Sequence, residues 1–521
     1  MRGKFKTISM NNKKTIFKIG NLGFGSAIVI FLAIIFLPAV FILGHFSFGD
    51  GAFGPDIIKA VTLSFEIGLI VTLVNLIFGL PLAWWMSRSK SWWAKVLDNL
   101  IDLSLVVPTA ALGFSVFLYW GSANGLARLF GIEGGLISKG PLLIILLHVV
   151  FTLPYMIRSI TAAIQQLDPN LEEAALTLSA HPFTIFRTVS LPLFKDGIIV
   201  GSVLSFTRSI SETGATMMVA GTFMTAPVLV VSLKNAGSIP QAAGASIILI
   251  ISSVIILFVG KLFLGKNSLN LRKVYPNFEK KIIGLKPVIN TVTLIFFALI
   301  IFLPTIFIAL YNFLNFEPFF NSVFLNSLVI TFAVAFLVTI LNLLLAAPIA
   351  YIIARNKYRL GKVLDILNEV VLLVPTSALG LSLVLFWRNF FGNELLILVL
   401  THLSFSFPLL VAPVSAAIKD ISEATEEAAF TLGASFRKMF TSILLPQIKP
   451  ALIAGSIMVF MRSLSETGAT LAVSSNIKTI PVYIVELVKA NELNQAAFVS
   501  VVLFALAIVF LTLLKYNKNK M

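Results

Sequence analysis

Residues 172–216 read EEAALTLSAHPFTIFRTVSLPLFKDGIIVGSVLSFTRSISETGAT, and residues 426–470 read EEAAFTLGASFRKMFTSILLPQIKPALIAGSIMVFMRSLSETGAT. The two stretches align at a constant offset of 254 without a gap, and 23 of the 45 positions are identical. Two copies of a segment this long indicate an internal duplication. The fold therefore consists of two related halves, and a feature of one half has a counterpart to look for in the other.

The duplication extends toward the start of each half. There the offset becomes 267, which pairs Asn75 with Asn342. We expect a first domain at 1–264, a basic cytoplasmic linker at 265–287 and a second domain at 288–521. The linker joins what were two ancestral subunits.

The composition is that of a membrane protein. Of 521 residues, 58% are hydrophobic and only 12% are charged. Soluble domains carry about twice that share of charge, so soluble enzymes and disordered chains are excluded. The chain has no cysteine and only four scattered histidines, which excludes disulfides and Cys-ligated metals. We expect no metal site and no catalytic residue.

Twelve segments have the roughly 20 apolar residues that a membrane-spanning helix needs. The predicted spans are 22–46, 58–86, 99–120, 141–165, 195–219, 243–264, 288–311, 324–353, 364–387, 394–418, 450–473 and 496–515. Six spans in each half return the chain to the same side, so the internal repeat is parallel. The predicted fold is an all-α polytopic membrane protein with about twelve transmembrane helices in two tandem six-helix domains.

Positive charge sets the predicted orientation. The net charge is +16, from 39 Lys and Arg against 23 Asp and Glu. With the N-terminus inside, 30 of the 39 cations fall on the cytoplasmic side, as the positive-inside rule requires. We expect a multi-pass protein of the plasma or inner membrane with both termini cytoplasmic. Membrane lipid, and no nucleic acid, accounts for the excess of positive charge.

A short acidic motif begins each repeated stretch, in a cytoplasmic loop between the fourth and fifth spans. Glu-Glu-Ala-Ala opens it at 172–175 and again at 426–429. Acidic residues in a first helical turn suit the helix dipole, so a short helix is predicted in each loop. Such a helix either docks into a groove on a soluble partner or lies on the bilayer surface. Its recurrence in equivalent loops favours docking.

The motif resembles the signature of permease subunits of binding-protein-dependent ABC importers: Glu-Ala-Ala, three residues, Gly, nine residues, then Ile-x-Leu-Pro. The second half matches it in full, at Glu427, Ala428, Ala429, Gly433, Ile443, Leu445 and Pro446. The first half departs at Ser179 and Val189. In such permeases this loop forms a coupling helix that sits in a cleft of the ATPase. The resemblance implies that role for Glu172, Glu173, Ala174, Ala175, Ser179, Glu426, Glu427, Ala428, Ala429 and Gly433.

The resemblance also implies partners. The chain contains no Gly-x4-Gly-Lys-[Ser/Thr] phosphate-binding motif, so ATP and Mg²⁺ belong to separate ATPase subunits, expected to be two. This chain is then a type I permease made of two fused permease domains, holds no cofactor and is not itself an enzyme. An extracytoplasmic solute-binding protein is expected to deliver the solute.

The hexapeptide Ser-Glu-Thr-Gly-Ala-Thr ends each repeated stretch, and an arginine precedes it by three residues. Arginine and glutamate four residues apart share one face of a helix. Charges within a membrane either pair to hold helices together or face a translocation path, and both interpretations stay open. The second assigns the path to Arg208, Glu212, Gly214, Thr216, Arg462, Glu466, Gly468 and Thr470.

These features point to different solutes. Similar Arg…Glu-x-Gly-Ala strings occur in oxyanion permeases for sulfate and molybdate, whereas the fused twelve-span layout looks like that of ferric-iron or thiamine permeases. We expect ferric iron or another inorganic ion, or thiamine. The alternative function is an ion-gradient-driven secondary transporter with twelve spans. The recurring Glu-Ala-Ala loops and the parallel repeat argue against that alternative.

Overall fold

The protein is built from helices in the computed structural model, which describes residues 25–45, 54–264, 276–355, 359–474 and 476–519. The main helices of the first half are α1 (Gly25–His45), α2 (Pro55–Arg88), α3 (Trp92–Val106), α4 (Thr109–Val116), α5 (Pro141–Gln165), α6 (Pro169–Thr177), α7 (Pro182–Ser211), α8 (Gly214–Val219), α9 (Ala226–Asn235) and α10 (Ile239–Phe263).

The second half repeats this order, so equivalent helices differ by ten in number. Its helices are α11 (Gly284–Leu314), α12 (Ser322–Arg355), α13 (Arg359–Leu373), α14 (Thr376–Trp387), α15 (Glu394–Asp420), α16 (Glu423–Thr431), α17 (Phe436–Ser465), α18 (Gly468–Val473), α19 (Ile480–Lys489) and α20 (Leu493–Asn519). The chain is already helical from Pro276, so residues 276–283 of the predicted linker lead directly into α11, and 284–287 are part of it. Residues 265–275 of that linker lie outside the described residues.

The protein is a polytopic membrane protein, but the helices differ in number from the prediction. Within the described residues, nine helices are long and apolar enough to cross a membrane, or ten if the bent pair α13–α14 is one span. Pro108 and Pro375 interrupt the third predicted span of each half, because proline lacks the amide hydrogen and clashes with the preceding turn. The last predicted span is apolar over the shorter stretch Leu493–Val509.

Each half has a core of three long helices. In the first half α2, α5 and α7 pack on one another, and in the second α12, α15 and α17 do the same. A buried asparagine joins the helices in both: the Asn75 amide donates to Thr152 (2.7 Å) and Ser205 (2.5 Å), and the Asn342 amide donates to Ser406 (3.0 Å). Such polar side chains link helices that have no hydrophobic reason to associate in lipid.

The first helix of each half packs against the other half. On α1, Phe31 and Ile35 are buried in a cluster with residues of α14 and α15. On α11, Ile301 and Ile308 are buried in a cluster with residues of α4 and α5. The two halves are therefore interlocked, although the sequence divides between them at the linker.

The breaks at the prolines direct two short helices into the middle of the molecule. The bend between α13 and α14 is 109°. Beyond it, α14 packs on α18, and in the same way α4 packs on α8. Residues 110–116 of α4 are all buried. These short helices surround the SETGAT turns, which we define as residues 211–216 and 465–470.

Candidate functional site

Two short helices, α6 and α16 (the loop helices), hold the Glu-Glu-Ala-Ala motifs. Each begins at a residue whose side chain accepts a backbone N–H: Asp168 from Asn170 (3.0 Å) and Ser422 from Ala424 (3.3 Å). A side-chain acceptor here satisfies one of the amides that a helix start leaves without a partner. The helices predicted in the two loops are therefore present, each of nine residues.

Both loop helices end in a left-handed turn. The residue in that turn is Ser179 (φ 60°) after α6 and Gly433 (φ 84°) after α16. The following residue closes the turn, because Ala180 donates its N–H to Ala175 (3.1 Å) and Ala434 donates to Ala429 (3.0 Å). This arrangement satisfies the last carbonyls of a helix and explains why the signature has glycine at this position.

Exchanging the residues of the two turns is expected to change stability in opposite directions. Ser179→Gly relieves a left-handed conformation that costs an L-residue about 1 kcal/mol, so the thermal unfolding midpoint rises slightly. Gly433→Ser introduces the same cost and lowers the thermal unfolding midpoint. A Cβ at this position would meet no atom within 4 Å, so the change in stability comes from backbone strain and not from a clash. The check is thermal unfolding of both variants in one detergent. A shift of the same sign in both would contradict the strain argument.

The first glutamate of each motif faces the permease, whereas the second faces outward. Glu172 pairs with Arg88 (2.5 Å), at the end of α2, and Glu426 pairs with Arg355 (2.6 Å), at the end of α12. Glu173, Ala174, Glu427 and Ala428 are exposed, Ala175 is half-buried and Ala429 is buried. The outward face of each loop helix thus carries one acid beside one small residue.

Sequence reasoning missed two leucines on these loops. Leu178 and Leu432 stand at equivalent positions, just before the left-handed turns, and are 83% and 88% exposed. Each leucine adds apolar surface next to the outward face of its loop helix. The sequence did contain a signal for them, because each leucine follows the start of its Glu-Glu-Ala-Ala motif at the same distance.

The SETGAT turns lie at the far ends of α7 and α17. Each of these helices has 30 residues, which corresponds to about 45 Å of rise, so the turns are far from the loop helices. The predicted spans 195–219 and 450–473 placed the motif inside a continuous helix. That boundary is wrong: the helix ends at Ser211, Glu212 is extended (φ −75°, ψ 131°), and a separate helix starts at Gly214.

The predicted arginine–glutamate pairs form at these helix ends. Arg208 lies 2.9 Å from Glu212, and Arg462 lies 2.6 Å from Glu466. Each carboxylate also accepts the N–H of the alanine three residues on, at 3.2 Å for Glu212 and 2.8 Å for Glu466. The acid therefore joins the long helix to the short one.

The two arginines are less buried than their partners. The side chains of Arg208 and Arg462 are 16% and 22% exposed, against 4% and 3% for the two glutamates. Each guanidinium also lies over an aromatic ring, Phe151 at 5.3 Å and Phe405 at 5.1 Å. Each cation is therefore held by protein on several sides, Arg208 also by a hydrogen bond with Tyr155, and only a minor part of each side chain is exposed.

The two SETGAT turns touch each other, which the sequence does not reveal. A Cβ on Gly214 would lie 2.3 Å from a side-chain atom of Thr467, and a Cβ on Gly468 would lie 2.7 Å from the hydroxyl of Thr213. The axis that relates the two halves passes between these reciprocal contacts. Glu466 interacts electrostatically with both Arg462 and Arg208, so the four charges form one cluster.

The two remaining threonines of the predicted path are buried inside the protein. Thr216 is hydrogen-bonded to His148 (2.9 Å), and Thr470 to His402 (3.1 Å). The other ring nitrogen of each histidine meets a serine hydroxyl at 2.8 Å. The two histidines are core groups with both ring nitrogens hydrogen-bonded, and the threonines orient them. The eight predicted path residues thus gather at one place, where arginines, not threonines, are accessible.

No metal-binding constellation accompanies this cluster. Within the described residues, no group of three or more His, Cys, Asp or Glu side chains is placed to hold a metal ion. The charged groups at the centre are two guanidinium groups and two carboxylates.

The chain is similar in sequence to permease proteins of other transport systems. Three relatives are the probable sulfate transport system permease protein cysT of Chlorella vulgaris (30% identical over 169 residues, 32% of this chain and 64% of that protein), the protein of the same name from Marchantia polymorpha (28% over 223 residues, 42% and 77%) and the molybdenum transport system permease protein ModB of Escherichia coli K12 (36% over 163 residues, 30% and 70%). The chain spans just under two-thirds of the length of the Chlorella protein.

A family model matches the chain twice, once in each half. The family is described as binding-protein-dependent transport system inner membrane component, and the matches cover residues 75–267 and 344–517, more than two-thirds of the chain. Each match contains one loop helix and one SETGAT turn. The chain therefore belongs to the binding-protein-dependent transport system inner membrane components and is the permease of an ABC importer, with both permease domains on one polypeptide.

Proposed function

We propose that the chain forms the translocation path for a small tetrahedral oxyanion of the sulfate and molybdate class. The path runs between the two halves, past the cluster of the SETGAT turns. The observation that carries the proposal is the pair of equivalent guanidinium groups beside the axis that relates the halves. Relatives named for sulfate and molybdenum transport support the same class.

The cluster suits an anion better than a cation. Guanidinium offers planar N–H donors that match the oxygens of an oxyanion in pairs. Glu212 and Glu466 occupy one edge of each guanidinium and keep the net charge of the empty cluster near zero, which limits the cost of burying the arginines. An arriving dianion binds the exposed part of each guanidinium. Ferric iron and thiamine, suggested by the fused layout, are cations and would meet these arginines unfavourably.

The loop helices provide the docking sites for the ATPases. Each presents an acid, an alanine and an exposed leucine on its outward face, a shape and polarity that fit an apolar groove with a basic rim. Two loop helices imply two ATPase subunits, which hold the ATP and Mg²⁺. In this arrangement the loop helices and both termini face the cytoplasm, and the solute-binding protein docks at the opposite end of the bundle.

Neutralising the Arg462–Glu466 pair tests whether these residues line the translocation path or only hold helices together. The double variant Arg462→Met with Glu466→Gln removes both charges, so folding and ATPase assembly are expected to survive. Transport of sulfate and molybdate into proteoliposomes is expected to fall by roughly 100-fold, because the anion loses charge-assisted hydrogen bonds worth several kcal/mol. If the folded double variant transports these anions as well as the unmodified protein, the pair only holds helices together.

Two further measurements complete this test. Arg462→Lys retains the charge without the paired donors, so partial transport is expected. Purifying the cognate solute-binding protein and identifying its bound ligand separates an oxyanion from ferric iron and thiamine. A ferric or thiamine ligand would contradict the proposed solute.

A further inference from the structure

The two loop helices are held to the permease unequally. In the second half, the side chains of Arg355 and Glu426 are 11% and 7% exposed. In the first half, Arg88 and Glu172 occupy the equivalent positions and are 34% and 20% exposed. An exposed ion pair contributes little because water competes for both charges, whereas a buried pair is strongly destabilising to break.

Additional hydrogen bonds strengthen the second anchor. The Tyr351 hydroxyl donates to Glu426 (2.9 Å), and Arg355 donates both to Glu426 (2.7 Å) and to the carbonyl of Ile421 (2.8 Å), just before α16. Tyr351 and Arg355 are both on α12, so this helix holds the loop helix at its start and in its first turn.

The first anchor has no counterpart of the Tyr351 hydroxyl. The position of Tyr351 is taken by Trp84, whose ring lies beneath the Arg88 guanidinium at 5.0 Å. Glu172 receives one additional bond, from the hydroxyl of Ser190 (2.7 Å).

The packing of the two loop helices against the permease also differs, with more burial at α16 than at α6. Beneath α16, Ala429, Met439 and Leu444 form a small buried cluster. On α6, no residue is buried. Together with the positive φ of Ser179, where the second half has Gly433, the burial of the ion pair and of the helix favours a firmly held α16 and a loosely held α6.

We propose that Arg355 and Tyr351 are positioning residues that make α16 the rigid coupling point of the transporter, while α6 is a compliant one. The inference rests on the proposed docking of ATPases at the loop helices and adds that the two docking positions are inequivalent. Movement of the ATPase at α16 passes directly into α12, because the Arg355–Glu426 bonds tie the two helices together. Movement at α6 is partly absorbed by rotation of α6 itself.

The test compares Arg355→Gln with its matched control Arg88→Gln in the assembled transporter with its ATPases. Hydrogen–deuterium exchange in lipid nanodiscs is expected to be about tenfold slower at α16 than at α6 in the unmodified protein. Arg355→Gln is expected to accelerate exchange at α16 and to reduce stimulation of ATP hydrolysis by the solute-loaded binding protein about tenfold, with basal hydrolysis retained. Arg88→Gln changes stimulation by about twofold or less.

Other variants keep the outcome decisive. Arg355→Lys is expected to restore part of the stimulation, because it returns the charge without the second donor. Should Arg355→Gln fail to assemble, Tyr351→Phe, compared with Trp84→Phe, removes one bond to Glu426 and leaves the ion pair; faster exchange at α16 is again expected. Equal effects in the two halves, or unchanged exchange at α16, would overturn the inference. An unmodified permease that does not co-purify with an ATPase would instead contradict the proposed function, while the exchange comparison would still decide the inequality.

Discussion

Replacing Gly214 by threonine is expected to reduce transport by roughly 10- to 100-fold and to lower the thermal unfolding midpoint. The new Cβ would lie 2.3 Å from the side chain of Thr467. This is closer than two non-bonded carbon atoms can approach, so the SETGAT turns must separate. Overpacking of this kind costs about 1–3 kcal/mol, and here the cost falls on the contact between the two halves. Transport assays and thermal unfolding of the purified variant provide the measurement.

Exchanging the two side chains is the matched control. The variant Gly214→Thr with Thr467→Gly moves the hydroxyl and methyl groups to the other side of the same contact and restores its volume. We expect this double variant to recover most of the stability and much of the transport. If Gly214→Thr alone behaves like the unmodified protein, the turns do not meet in the working transporter.

Placing a new charge on the outward surface of the loop helices is expected to abolish transport. Either Gly433→Asp, or Glu173→Lys together with Glu427→Lys, should reduce transport to background by weakening ATPase docking, since a charge buried without a partner at an interface is strongly unfavourable. A Cβ on Gly433 would touch nothing within the permease, and Asp tolerates a positive φ better than most residues. Failure is therefore expected at the docking surface and not in the fold.

Co-purification of the ATPase is the direct measurement for these variants. Gly433→Ser serves as the control for backbone strain, because it adds a Cβ at the same positive φ without a charge, and the first half has a serine in the equivalent turn. Normal co-purification of the ATPase with the aspartate or lysine variants would count against docking at the loop helices. Loss of co-purification with the serine control as well would indicate that backbone strain, not charge, is responsible.

Local features of this protein followed from its sequence. The short helix predicted in each loop from its acidic motif is present, and Asp168 and Ser422 cap the starts of these two helices. These features depend on neighbouring residues alone, so a short stretch of sequence is sufficient to place them. The internal duplication also predicted that the two halves have equivalent features.

Features that depend on distant residues did not follow. Arg88 and Arg355 are 84 and 71 residues from the glutamates that they bind, and nothing in the sequence pairs them. The meeting of Gly214 with Thr467 joins the two halves across the molecule. Hydropathy also merged α7 with α8, because the extended residue Glu212 interrupts the helix without interrupting the apolar character of its surroundings.

The exchange of α1 and α11 bears on how such a transporter can be made in a cell. Because α1 completes the apolar surface of the second half and α11 that of the first, neither half alone presents a finished exterior to lipid. Synthesis as one polypeptide supplies the two halves in a one-to-one ratio, so no unassembled half remains to be degraded. It also frees the two copies to diverge, since a substitution in one is never imposed on the other, as it would be in a homodimer.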